Sequence, residues 1–310
     1  MKNIVLSVFL ILIIGLSSCT KLLEDDFPEF NDDWVINNIM IAGDSIEVEI
    51  TKTTSVNGEG NPPVEDALIQ LMVENETFEL SYDENSATYK LNQQIETVKE
   101  YNFELFDASG EIKTSFNQII PPSQPILNIE HIDVAGVDDE GVSHPAIKIE
   151  VPNNAARDYF YVNIRLLKRS IFEFEDEEEN RIEILNIEDP ILLNEGVPFP
   201  LFSNELMTGN SQEILINYTT NGASSSDGGP LIANKYPLVV ELWTLNEAYY
   251  NFMKQNYQYE NSRYPIIGSG NQAAISNFNN VEGAYGINAG YSFVKTDTIY
   301  PSGTENYFNQ

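Results

Sequence analysis

Ser45-Ile46-Glu47-Val48-Glu49-Ile50-Thr51 sets an apolar side chain at every second position with polar ones between. Successive side chains of a strand point to opposite faces, so this pattern marks a strand with one face buried and the other wet. The pattern recurs on either side. Trp34 to Ile41, Ala67 to Val73, Thr77 to Tyr82, Thr88 to Leu91, Glu100 to Phe106 and Ile112 to Phe116 are further candidates. Turn chemistry separates them: Asn57-Gly58-Glu59-Gly60-Asn61-Pro62-Pro63 is a loop by composition, and Ala108-Ser109-Gly110 makes a tight hairpin. Seven short strands at roughly ten-residue spacing predict a β-sandwich over residues 34–122.

Pro121-Pro122-Ser123-Gln124-Pro125 then interrupts as a stiff linker, and a second β-rich domain is expected over residues 123–310. Its candidate strands are Ile126 to Val134, Ala146 to Val151, Tyr159 to Lys168, Arg181 to Ile187, Glu213 to Thr219, Pro237 to Thr244 and Tyr291 to Tyr300. One helix is expected near residues 246–258. Asn246 is its cap, Glu247 suits the positive amino end, and Tyr249, Phe252, Met253 and Asn256 or Tyr257 share a face. The fold class is therefore mainly β, a β-sandwich followed by a second β-rich domain with one helix.

The chain of 310 residues carries 48 acids against 16 bases, a formal charge of -32. Such a surface repels phosphate backbones and anionic lipid headgroups, which excludes nucleic-acid binding by counterion release. The charge is uneven: residues 1–179 hold 35 acids and residues 180–310 hold the other 13 of the 48. Conversely, nine of the 16 tyrosines lie in residues 246–310.

The amino terminus has its own logic. Lys2 precedes an apolar run from Ile4 to Leu16, too short to span a bilayer, and Leu16-Ser17-Ser18-Cys19 follows. A cysteine directly after small residues preceded by leucine is the acceptor of a lipoprotein signal, so residues 1–18 read as a cleaved signal peptide and Cys19 as the lipid attachment site. Cys19 is the one cysteine in the chain. Its acylation leaves no thiol for disulfides, thiolate metal sites or covalent catalysis. Residues 19–33 form an acidic tether with six acids from Glu24 to Asp33. Glu24, Asp25 and Asp26 beside the lipid resemble the export signal that sends lipoproteins of Bacteroidota to the cell surface; the plain alternative is a solvated spacer that like charge keeps extended.

Constellations for chemistry are sparse. Two histidines, His131 and His144, stand near no Gly-x-Ser-x-Gly elbow, and with no free thiol they cannot furnish a zinc site. No catalytic residue and no cofactor is assigned. Calcium is the one ion worth weighing, through Asp133, Asp138, Asp139 and Glu140 before Gly141 or through the acidic run 173–179, against a reading of both as solvated loops that guard strand edges. The tyrosine-rich end admits core packing, a protein interface or sugar stacking, with a protein partner favoured over a sugar because Trp34 and Trp243 both fall inside strand patterns.

Several segments together resemble a known family. Trp34-Val35-Ile36-Asn37-Asn38, Pro62-Pro63-Val64-Glu65-Asp66-Ala67-Leu68-Ile69, Ile119-Ile120-Pro121-Pro122, Leu245-Asn246-Glu247-Ala248-Tyr249-Tyr250 and Val281-Glu282-Gly283-Ala284-Tyr285-Gly286, with the lipobox at Cys19, resemble domain-of-unknown-function family 4249, lipoproteins of Bacteroidota. The chain departs from the family pattern at Asn85-Ser86-Ala87-Thr88-Tyr89, where a glycine commonly precedes the tyrosine. The resemblance implies an immunoglobulin-like or carboxypeptidase-regulatory-like first sandwich, an outer-membrane location and association with TonB-dependent transporters. The expected function is thus a surface-exposed, non-enzymatic accessory or binding subunit of a TonB-dependent nutrient-uptake system. The alternatives are a scaffold subunit of another outer-membrane complex, such as assembly machinery, and a carbohydrate-active enzyme with paired carboxylates.

Overall fold

The computed structural model describes residues 31–55, 60–168, 182–185, 188–220, 222–225, 229–262 and 275–309. The leader, Cys19, Glu24, Asp25, Asp26 and the acidic run 173–179 lie outside the described residues.

The alternation quoted at the outset becomes a strand whose inward residues Ile46, Val48 and Ile50 are fully buried. Eight strands build the first sandwich: β1 (Trp34–Ile41), β2 (Ser45–Lys52), β3 (Leu68–Val73), β4 (Glu76–Glu79), β5 (Ser81–Asp83), β6 (Thr88–Gln94), β7 (Glu100–Phe106) and β8 (Ile112–Ile119). Their order is β1-β2-β6-β5 in one sheet and β4-β3-β7-β8 in the other. Lettered along the chain these are A-B-E-D against C′-C-F-G, the immunoglobulin arrangement with one added edge strand. The expected strand Thr77 to Tyr82 is two strands. Leu80, buried at the bend, donates its N–H to the Ile69 carbonyl at 3.1 Å, and the chain passes from one sheet to the other there.

The sandwich has no disulfide, and apolar packing with local hydrogen bonds holds it. Ile36, Met40, Ile46, Val48, Ile50 and Tyr89 from one sheet meet Ile69, Leu71, Val73, Tyr101, Phe103 and Leu105 from the other. Tyr101 opens β7 and turns its hydroxyl back to Glu96, accepting from the N–H at 2.7 Å and donating to the carbonyl at 3.3 Å. This is the tyrosine corner of immunoglobulin-like sandwiches.

The second half adds β9 (Asn128–Val137), β10 (Ser143–Pro152), β11 (Tyr159–Leu166), β12 (Glu183–Ile184), β13 (Leu201–Ser203), β14 (Ser211–Thr219), β15 (Ala223–Ser224), β16 (Ile232–Ala233), β17 (Leu238–Leu245) and β18 (Tyr285–Lys295). Strands β13-β11-β17-β18 face β12-β14-β10-β16-β15, with β9 alongside β10, and a separate core of Ile147, Ile149, Val162, Ile164, Ile214, Ile216, Val240 and Leu242 fills the gap. Among the described residues two α-helices appear where one was expected: α1 (Pro190–Glu195) and α2 (Glu247–Ser262). Asp189 caps α1 by accepting from the Ile191 N–H, and Gly196 ends it in the left-handed conformation.

The halves are joined by more than a linker. β18 runs parallel to β1, with Val35 beside Tyr285, Asn38 beside Asn288 and Met40 beside Gly290. An eight-stranded sheet, β13-β11-β17-β18-β1-β2-β6-β5, therefore passes through both sandwiches. The prolines near residue 122 separate two cores but not two sheets. At the seam the interior is polar: the Asn38 amide donates to Asn288 Oδ1 at 2.8 Å, and the Asn288 amide donates to the Asn117 carbonyl at 2.8 Å.

Candidate functional site

The tyrosine-rich end folds onto the outer face of this shared sheet. Asn246 Oδ1 accepts from the Tyr249 N–H at 2.9 Å, starting α2, and also from the Gly290 N–H at 3.2 Å, fixing the helix to β18. Tyr250 then packs against Tyr159 of β11, ring centroids 4.5 Å apart and planes tilted by 35°. The buried Glu195 at the end of α1 accepts from the Ser203 N–H at 3.0 Å, from Lys254 Nζ at 2.8 Å and from the Tyr250 hydroxyl. Burial opposes the charge on Lys254, but the Glu195 carboxylate and the Tyr250 hydroxyl hold its ammonium above the ordinary value.

Stacking continues along the sheet. Trp243 lies on Tyr291 at 4.3 Å with planes 9° apart, Tyr291 on Tyr249 at 5.3 Å, and Tyr161 meets the Trp243 edge at 5.2 Å. Burial pushes the phenols of Tyr249 and Tyr291 up, so both stay neutral and serve as packing surface. Much of the aromatic signal in residues 246–310 is therefore the seat of α2.

At the edge of that seat, where Tyr161 and Trp243 pack against it, the outer face is laid out by register. Tyr161 pairs with Trp243 and Trp243 with Phe293, so the three occupy one row across β11, β17 and β18. The next row is Asn163, Glu241 and Lys295. Glu241 Oε2 accepts from Trp243 Nε1 and from Asn163 Nδ2, both at 3.0 Å, and its Oε1 pairs with Arg165 at 3.1 Å. The indole orientation is thus locked from behind, while Phe293 is 38% exposed and Trp243 half-buried. Membership of a strand did not consign Trp243 to the sandwich interior; it faces outward.

The acidic cluster weighed for calcium disperses. Asp133 pairs with Lys235 at 2.9 Å and with His131 Nδ1 at 3.0 Å, while Asp138 accepts from the backbone of Glu140 and Val142 in its own turn. Asp139 and Glu140 are exposed. Among the described residues no group of three His, Cys, Asp or Glu side chains is placed to hold a metal. His131 Nε2 lies 2.8 Å from the hydroxyl of buried Tyr218, and the second histidine, His144, is buried on β10 against Gly136. Asn163, Arg165, Glu241 and Lys295 were not singled out from the sequence. Alternation placed them on the outer faces of their strands, but the cross-strand register that assembles them is not written locally.

The family model described as Domain of unknown function (DUF4249) matches residues 20–297, and the chain belongs to that family. No curated protein matches it. Among solved structures, a chain titled "Cytokine receptor complex - Crystal form 2" is 10% identical at a TM-score of 0.26, the match covering 67% of this chain and 89% of that one. A chain titled "Biofilm associated protein - BSP domain" is 8% identical at a TM-score of 0.17, covering 85% of this chain and 59% of that one.

Proposed function

We propose that this protein is an outer-membrane lipoprotein, facing outward, that works as a non-enzymatic accessory or binding subunit of a TonB-dependent transporter system. The observation that carries the reading is Leu16-Ser17-Ser18-Cys19, with the acidic stretch from Glu24 immediately behind it. The geometry at the start of β1 supports it. Lys52 pairs with Asp32 at 2.9 Å, and Thr53 Oγ1 donates to the Asn31 carbonyl and accepts from the Asp33 N–H, so the tether meets the fold at one end of the first sandwich. A spacer the length of residues 19–33 reaches at most about 50 Å when extended.

The non-enzymatic part rests on how the buried acids are engaged. Among the described residues Glu195 is paired with Lys254 and Glu241 with Arg165, and each carboxylate is taken up in holding neighbouring side chains in place.

Three measurements test the reading. Labelled palmitate incorporates into the wild-type chain and not into Cys19→Ser; equal labelling of both removes the lipid anchor. Protease added to intact cells cuts the protein; a chain left whole places it on the inner side. Purification from detergent-solubilised membranes recovers a TonB-dependent transporter with it, and recovery with a different outer-membrane assembly overturns the transporter assignment.

A further inference from the structure

Eleven lysines and arginines lie within the described residues, and ten of them are held by an acid or an aromatic ring. Lys295 has no such partner among the described residues, although the chain carries three acids for every base. It sits exposed at the end of β18, directly opposite a Glu241 already engaged by Arg165, Asn163 and Trp243. Arg165 is itself more than half exposed, with one nitrogen on Glu241 and, among the described residues, no other acid paired with it, which leaves donors to bond outward. An unneutralised cation beside an aromatic row, on a protein of charge -32, is a placement that complements an anion.

The dimensions decide what kind of anion. Three strands about 4.8 Å apart, and the four-residue step along β11 from Tyr161 to Arg165, give a platform of roughly 10 by 14 Å. That is far below the roughly 800 Å² per side of a stable protein interface, and it matches one or two sugar rings.

We infer that Tyr161, Trp243 and Phe293, with Lys295 and Arg165 beside them, form a binding platform for a short anionic saccharide, such as a uronic acid oligomer. The aromatic row takes the apolar C–H faces of the rings. The Lys295 ammonium and the outward N–H groups of Arg165 take the ring carboxylate, and Glu241 holds Trp243 and Arg165 in place without touching the ligand. The site stands independently of the transporter reading, since binding is measured on the purified protein without a partner.

The full-length lipidated protein in detergent, carrying Trp34→Phe so that Trp243 is the one indole reporter, is titrated with galacturonate tetramer and separately with neutral maltotetraose. The galacturonate quenches Trp243 saturably and maltotetraose does so at least tenfold more weakly. Lys295→Gln and Phe293→Ala, both at exposed positions and checked for an unchanged thermal transition, each weaken binding by about tenfold, the scale of one charged hydrogen bond for the first and of one lost aromatic packing face for the second. Equal affinity for the two sugars overturns the charge assignment. Unchanged affinity in both variants overturns the site, and co-purification of a protein lost specifically in Lys295→Gln replaces the saccharide with a protein partner.

Discussion

A methyl group placed on Gly286 would stand 1.9 Å from the carbonyl oxygen of Ile36, across the parallel pairing of β1 and β18. Gly286 also holds φ at +122°, a conformation L side chains rarely adopt. Gly286→Ala therefore separates the strands as well as straining the backbone, and the expected loss is about 3 kcal/mol or more by urea unfolding. Gly43 has φ +92° with nothing within 4 Å, so Gly43→Ala carries the backbone cost alone, about 1–2 kcal/mol. Equal losses in the two variants would show that the approach to Ile36 is not tight.

The turn where the chain departs from its family is held in the left-handed region by Ala87, at φ 55°. A network compensates. The Lys90 ammonium, the Asn85 N–H and the Ser86 hydroxyl converge on Asp83 and hold its carboxyl at about 2, while Thr88 donates to Glu47. Ala87→Gly relieves the strain and should raise stability by about 0.5–1 kcal/mol, seen as a higher melting temperature.

His131 is buried between Asp133 and Tyr218, with Lys235 on the far side of Asp133. Burial pulls its pKa below the ordinary 6.5 despite the pull of Asp133 in the other direction. The folded ring is thus neutral while the unfolded ring takes a proton from about pH 6.5 downward. Stability is full above that pH and falls as the pH drops through it towards the folded value. Melting temperatures at pH 7.5 and 5.5 measure the fall, and His131→Gln should flatten it.

Glu195 gathers three donors from two elements, β13 and α2, so Glu195→Ala strands the Ser203 N–H, the Tyr250 hydroxyl and the Lys254 ammonium together. Breaking such a buried pair costs about 3–5 kcal/mol. Hydrogen exchange should show amides of α2 opening faster while those of β2 and β7 are unchanged. Glu195→Ala with Lys254→Met should recover part of the loss, because no uncompensated charge remains.

The strands that read clearly are those where one face is apolar and the other wet, as in Ser45 to Thr51. β18 begins six residues before its expected start at Tyr291 because Gly286, Asn288 and Gly290 interrupt the alternation. Those residues are small or amide-bearing for a tertiary reason: a Cβ on Gly290 would lie 2.3 Å from Ile120 Cδ1 and 2.8 Å from the Met40 carbonyl. Helix α1 is signalled by Asp189-Pro190 and Gly196, but six residues give too little periodicity to stand out. The aromatic wealth of the last third was visible; its division between a helix seat and an outward row depends on the pairing of β11, β17 and β18, which no local pattern encodes.

The parallel pairing of β1 with β18 also governs when the protein can fold. Strands paired at Asn38 and Asn288 stand 250 residues apart, so the large sheet closes through one of the longest loops the chain can offer. Contacts of such separation form late, since the entropy of closing the loop is lost before any pairing rewards it. A chain synthesised from its amino end cannot complete this sheet until residue 295 has emerged. The first sandwich, with its own core, tyrosine corner and eight strands, can form early, but its β1 edge stays open until β18 arrives. Assembly is thereby ordered in time: the amino-terminal sandwich comes first, and the arrival of β18 closes the sheet the two halves share.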